Sequence, residues 1–395
     1  MKYYILKFLF LIFSRVIPIK KRLYIFGAWS GERFSDNPKE YFKYLHAKNL
    51  KEVYWYTKNK NLFNEMQNDG FPCVIGVSFK TIWMHMRAEA VFCNCSAQSD
   101  VIGFAINKKT KIFNLWHGSP MKHIGLDALK SCYVSNSLGV KEVPFFVQFI
   151  YKKMSWFVNK VKNEDVYFLA SSKEVASILS RAMNIEPNKV ILSGYPKLDP
   201  LFSTVSNNLN DPFVEKHILL CPTYRGEYGA ENDILHAMGL DIIKTNEILV
   251  NKNIVLTIRL HPANRLKPTI INQLSHAKNI NIDNEPDIYT TLQKCDAIIT
   301  DFSSIYFDAL AIGMNAIFFP FEYEEYIKND RKLYYKPDEL CPYSPPKTWT
   351  ELLNNLDGLL MYPIENFKSI RDRFYEFPQK ESCALLHNRI KEKLN

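Results

Sequence analysis

Ile112-Phe-Asn-Leu-Trp116 runs straight into His117-Gly-Ser-Pro-Met-Lys122, and the reading of that junction decides the fold. A short, almost wholly apolar run is a strand covered on both faces; the imidazole, glycine and Ser-Pro behind it read as a strand end, a turn and a helix start. The same pattern recurs at Leu23–Ala28, Glu52–Tyr56, Cys73–Ile75, Ala90–Cys93, Val166–Ala170 and Val190–Ser193. After a polar stretch, Ser203–Asn210, it restarts at His217–Cys221, Ile254–Leu260, Ile280–Ile282, Ala297–Thr300 and Ala316–Phe319. Apolar strands separated by amphipathic helical segments require parallel sheets with helices on both sides. Two such series predict an α/β protein of two doubly wound, Rossmann-like domains facing a cleft. The expected domains are 22–205 and 211–375, preceded by a segment at 1–21 and followed by a C-terminal helix at 376–395. A chain of 395 residues suits two domains, each large enough to fold without a disulfide or metal staple.

Composition excludes a disordered or repetitive chain: 47% of residues are hydrophobic and 23% charged. The net charge of +9 is local. Lys2, Lys7, Arg15, Lys20, Lys21 and Arg22 stand without an acid in residues 1–22, and residues 141–163 hold five Lys against Glu142. The remainder is close to neutral. Both basic stretches are interleaved with large apolar side chains, which fits an anionic membrane surface better than a nucleic acid, so no nucleic-acid partner is expected. Ile5–Phe13 is too short to span a bilayer as a helix. An interfacial anchor, a signal segment and a packed first helix remain open for it, as do core and membrane contact for 141–163. The eight cysteines sit mostly in apolar runs, without a second Cys pair or His at zinc spacing, and read as reduced core residues.

In open parallel sheets, ligands bind beyond the carboxyl ends of the strands. His117 stands at such an end, with Gly118 for close approach, Ser119 at the turn and Lys122 for neutralising an anion. Arg225 follows His217–Cys221, where a guanidinium can fork onto a phosphate. Arg259 and His261 lie one alternation apart and can address one anion. Asp301-Phe-Ser-Ser304 precedes a helix beginning near Ile305, so Ser303 and Ser304 offer hydroxyls beside free N–H groups. No Walker A motif, Gly-rich dinucleotide fingerprint, HExxH or Asp-x-Asp occurs, so neither a cofactor nor a metal is expected.

Taken in order, Ser35-Asp-Asn-Pro-Lys-Glu-Tyr-Phe-Lys-Tyr-Leu45, Trp116-His-Gly-Ser-Pro-Met-Lys122, Gly194-Tyr-Pro-Lys-Leu-Asp199, Pro222-Thr-Tyr-Arg225, Arg259-Leu-His-Pro262 and Thr300-Asp-Phe-Ser-Ser304 resemble the CDP-glycerol glycerophosphotransferase family. The resemblance runs from about residue 22 to about residue 340. It implies a GT-B-like fold and transfer of an alditol phosphate from CDP-glycerol or CDP-ribitol to a hydroxyl, with release of CMP. It further implies a lipid-linked saccharide or polymer acceptor at the cytoplasmic face of the cell membrane, catalytic roles for His117 and His261, and a donor-phosphate contact for Arg331. Asp330-Arg-Lys-Leu-Tyr334 and Cys341-Pro-Tyr343 depart from the family's pattern. A GT-B glycosyltransferase using a nucleotide sugar and a nonenzymatic membrane scaffold are the alternatives.

Overall fold

All twelve expected strands are present, and every pairing between them is parallel. The computed structural model describes residues 17–129, 149, 165–203, 209, 211, 213–225, 234–260, 266–377 and 381–394. Residues 1–16, most of the basic stretch 141–163, and His261 lie outside them. The first sheet contains β1 (Lys20–Phe26), β2 (Glu52–Thr57), β3 (Cys73–Ile75), β4 (Ala88–Cys93), β5 (Lys111–Asn114), β6 (Asp165–Ala170) and β7 (Val190–Leu192), in the order 3-2-1-4-5-6-7. The second contains β8 (Lys216–Cys221), β9 (Ile254–Ile258), β10 (Ile280–Ile282), β11 (Ala297–Thr300) and β12 (Asn315–Phe318), in the order 10-9-8-11-12. Both orders reverse beside the first strand of the series, which defines a doubly wound, GT-B-like α/β fold.

One face of the first sheet is an aromatic ladder in register. Phe26 pairs with Trp55 on one side and Phe92 on the other, Phe92 with Phe113, and Phe113 with Tyr167. Their near-parallel rings lie 6.4, 4.4, 5.2 and 5.3 Å apart in that order. Cross-strand aromatic pairs add about 0.5–1.5 kcal/mol each beyond the area they bury. Helix α1 (Asp36–Ala47) covers this ladder with Tyr41 and Phe42. On the opposite face, Ile25, Val91 and Ile112 pack with Ile82 and Met86 of helix α2 (Phe79–Arg87).

The chain divides into two compact units. The first contains the described residues through His117, Phe149, residues 165–199, and those from Glu376 onward; the second contains Gly118–Leu129 and the described residues from Pro200 to Tyr375. The helical tail is therefore shared. Trp349, Leu352 and Leu356 join the core built on β8, β9 and β11, where the Trp349 indole N–H donates to Thr245 Oγ1 at 2.9 Å. The last helix, α3 (Ser382–Leu394), returns to the first unit, where Asp199 accepts the Ser382 and Cys383 N–H groups, both at 2.9 Å. A Cβ on Gly194 would lie 2.4 Å from Ser382 Oγ, so the Gly-Tyr-Pro-Lys-Leu-Asp turn is the seat of this helix.

Phe92 is fully buried in the middle of the ladder. Phe92→Ala should cost the first unit about 3–5 kcal/mol in denaturant unfolding. A loss below about 1 kcal/mol would show that the ladder does not hold the sheet.

Candidate functional site

Strand β5 stops at Asn114, two residues before the expected end, because its side chain turns the backbone. Asn114 Oδ1 accepts the Trp116 N–H at 2.9 Å, and Trp116 takes a left-handed φ of 54°. The Leu115 and Trp116 carbonyls both accept from Asn37 Nδ2, at 2.9 and 3.1 Å. His117 leaves this turn half-buried, with its ring 4.5 Å from Trp116 and 5.5 Å from Trp29. Its Nδ1 lies 3.0 Å from the Asn94 carbonyl oxygen. A carbonyl only accepts, so Nδ1 carries the proton and Nε2 of the neutral ring keeps its lone pair.

The loops after β1, β4 and β7 supply the support. Asn94 Oδ1 accepts the Trp29 N–H at 2.9 Å, and Asp100 accepts from the N–H groups of Ser30, Asn94 and Cys95 at 2.9, 3.1 and 2.8 Å. Gly27 is required at the start of the first loop, since a Cβ there would lie 2.2 Å from the Asp100 carbonyl oxygen. Lys197 is buried to 1% exposure; its Nζ donates to the His117 carbonyl at 2.8 Å and lies 3.8 Å from Asp36 Oδ1. Trp29, Ser30, Asp36 and Trp116 all have φ between 48° and 67°. Strained backbone of this kind persists where surrounding bonds over-determine it, and it gathers at functional sites.

In the second unit, Asp301 stands at the end of β11, beside the end of β8. Its carboxylate accepts the Thr223 N–H and Arg225 Nη2, both at 2.7 Å, and Arg225 Nη1 donates to the Thr223 carbonyl at 2.8 Å. The guanidinium is boxed by Phe302, Phe321 and Tyr326, with ring centroids 5.2, 4.5 and 4.5 Å away. Arg225 is therefore 9% exposed and fixed as a charged post; the sequence suggested a fork open to phosphate. Arg259 likewise turns to Asp283 and the Glu285 carbonyl. Burial works against the Asp283 carboxylate, but bonds from Arg259, the Glu285 N–H and Thr291 hold its pKa below the usual range. Ser304 precedes the Ile305–Ala311 helix with helical φ and ψ, and its hydroxyl makes no capping bond.

The Ser119-Pro120 step does not open a helix. Ser119 is fully buried, and the chain continues extended to pair with the segment after Arg331. Lys122 bridges Leu333, the His123 N–H donates to the Lys332 carbonyl at 2.8 Å, and the Tyr334 N–H to the Met121 carbonyl at 2.9 Å. Tyr334 also donates its hydroxyl to Asp127 at 2.9 Å. Gly118, Ser119 and Lys122, expected with the first domain, thus belong to the second unit. Lys122, Arg225 and Arg331 gather there around Asp301 and Asp330. Burial is the largest influence on the Lys122 amine; Arg331 and Arg225 add to it, Asp301 and Asp330 oppose it, and its pKa is pushed down to about 8. Of these cations, Lys122 and Arg331 are the pair chemically suited to a diphosphate, since Arg225 is committed to Asp301.

Sequence reasoning missed Asn94, Asp100, Trp29 and the part played by Lys197. A lysine in a turn carries no mark of burial, and a backbone carbonyl that orients a histidine has no residue signature.

Two doubly wound units with polar clusters at their strand ends are the architecture of GT-B-like transferases. The profile of the CDP-glycerol:poly(glycerophosphate) glycerophosphotransferase family matches residues 9–392, and the chain belongs to that family. It is 25% identical to the teichoic acid poly(glycerol phosphate) polymerase of Bacillus subtilis (strain 168), over 98% of this chain and 50% of that protein. This chain thus spans about half the length of that relative. It is also 25% identical to the teichoic acid glycerol-phosphate transferase of Staphylococcus aureus (strain NCTC 8325 / PS 47), over 86% of this chain and 84% of that one. The solved wall teichoic acid polymerase TagF superposes with a TM-score of 0.72 at 20% identity, covering 98% of this chain and 94% of that one, which supports the fold.

The Lys122 charge is present below about pH 8 and lost above it. Affinity for inorganic pyrophosphate, measured calorimetrically, should fall from about pH 7 to about pH 9, and Lys122→Met should weaken binding at the lower pH and flatten the profile. Equal profiles for the two proteins would remove Lys122 from anion binding.

Proposed function

We propose that the protein transfers glycerol phosphate from CDP-glycerol to a hydroxyl of a lipid-linked saccharide or polymer acceptor, releasing CMP, in the synthesis of a teichoic-acid or capsule-type polymer. CDP-ribitol is the second donor to test. Family membership over nearly the whole chain supports the reaction class. The single observation that carries the assignment of a base is the bond from His117 Nδ1 to the Asn94 carbonyl, which leaves Nε2 as the proton acceptor.

In this reading, the acceptor oxygen attacks the phosphorus that bears the glycerol. A new P–O bond forms, the bond from that phosphorus to the CMP oxygen breaks, and the hydroxyl proton passes to His117 Nε2. The electron pair leaves with CMP. General-base help of this kind contributes roughly 100-fold to 10,000-fold. Lys122 and Arg331 hold the diphosphate and neutralise the departing charge, with Ser303, Ser304 and His261 as further donors; Arg225 acts through Asp301 by fixing the loop after β8. Arg259, Gly118 and Ser119 shape the adjoining loops. No metal or cofactor has a part in these steps.

In this reading the protein works at the cytoplasmic face of the cell membrane, as a peripheral protein, where a lipid-linked acceptor would be met. The acid-free, apolar-rich start of the chain, residues 1–21, supports this by its composition.

Incubation with CDP-glycerol, CDP-ribitol and UDP-sugars, each with a lipid-linked acceptor, should release CMP from a CDP-alditol. Release of UDP alone would make the protein a glycosyltransferase. His117→Ala should lower the single-turnover rate by at least about 100-fold while CDP-glycerol still binds. A near wild-type rate in that variant would refute the base assignment.

A further inference from the structure

Residues 70–88 contain no Asp or Glu. Within them, α2 turns Ile82, His85 and Met86 inward, with exposures of 8, 0 and 4%. Its other face is unusual for a helix of nine residues. Phe79 is 82% exposed and Trp83, one turn later, 41%, with their rings nearly parallel 6.5 Å apart; Val77, just before the helix, is 64% exposed. Arg87 sets its guanidinium 5.6 Å from the Trp83 ring, and Lys80 is exposed between the aromatics. Isolated exposed apolar side chains need no explanation, but three within seven residues, interleaved with cations, form a surface suited to a partner.

The surroundings extend the same chemistry. Asn107 Nδ2 donates to the carbonyls of Met86 and Ile17, each at 2.9 Å, so Ile17 lies beside the end of α2. The next residues of that turn are Lys108 and Lys109, the latter exposed. Residues 1–16, which precede Ile17 in the sequence, are rich in apolar side chains and free of acids.

We propose that the outer face of α2 is a lipid-docking surface for an anionic bilayer. Phe79, Trp83 and Val77 enter the boundary between headgroups and acyl chains, while Lys80 and Arg87 meet lipid phosphates with Lys108 and Lys109 behind them. Trp and Phe beside Lys and Arg are the chemistry of that boundary, where an aromatic body is buried and a cation stays with the headgroups. A second copy of the chain fits less well, because a patch without acids would set Lys80 and Arg87 against their own charges. The inference rests on the membrane reading proposed above but uses residues separate from 1–21.

The test is co-sedimentation of the full-length protein with mixed phosphatidylcholine/phosphatidylglycerol vesicles, beside Phe79→Ser/Trp83→Ser and Lys80→Glu/Arg87→Glu. Each double variant should lose roughly tenfold in partitioning. These side chains are largely outside the core, so the circular dichroism and melting temperature of the variants should match the wild type. As a second readout requiring no polar substitution, brominated lipids should quench the wild-type tryptophan fluorescence more strongly than that of Trp83→Phe. If both double variants bind as the wild type does and quenching is unchanged, the α2 surface is wrong while the reading of residues 1–21 stands. If the wild type itself ignores anionic vesicles, both fall. A change of oligomeric state in Phe79→Ser/Trp83→Ser without loss of vesicle binding would show a contact between subunits and overturn the proposal.

Discussion

The register of one aromatic row sets the height at which the chemistry of the first unit begins. Trp55, Phe26, Phe92, Phe113 and Tyr167 lie side by side on five adjacent strands. A parallel strand shifted by one residue would move its ring to the other face of the sheet. With the row fixed, Gly27 follows Phe26 directly, Asn94 comes two residues after Phe92, and His117 comes four after Phe113. The Trp29, Asn94 and His117 loops therefore leave the sheet together at its carboxyl end, close enough for the Asn94 backbone carbonyl to fix the imidazole while its side chain holds the Trp29 N–H.

The second unit uses charge where the first uses rings. Asp301 ties the ends of β8 and β11 together through Thr223 and Arg225, and three aromatic rings enclose the guanidinium. Removing one partner of such a pair leaves the other charge buried and uncompensated, a cost of about 3–5 kcal/mol, so the turn is rigid. Lys122 is brought beside it by backbone pairing with the segment around Leu333. An amine drawn out of solvent beside two guanidiniums resists protonation.

What could be read in the sequence follows from the same physics. Parallel strands covered on both faces are continuous apolar runs, so all twelve were legible, and the order of motifs identified the family. Strand ends were less legible: the Asn114 side chain stops β5 early, and Arg22, at φ 70°, accompanies an irregularity in β1 that lets it begin at Lys20. Least legible were bonds between distant segments. Nothing local to Arg225 announces Phe321 and Tyr326, and nothing in Gly118–Lys122 announces its pairing with residues 332–334. Chain continuity placed that segment with the first domain; backbone hydrogen bonding places it with the second unit.

The central claim is that the fold presents His117 with its proton on Nδ1 and its lone pair on Nε2. Nitrogen-15 NMR of the histidine-labelled protein, with His117 assigned by its loss in His117→Ala, tests this directly. The account predicts the Nδ1–H tautomer at neutral pH, with an Nε2 shift typical of an unprotonated ring nitrogen. A proton on Nε2 would contradict it, since the ring would then have no lone pair where the base is required.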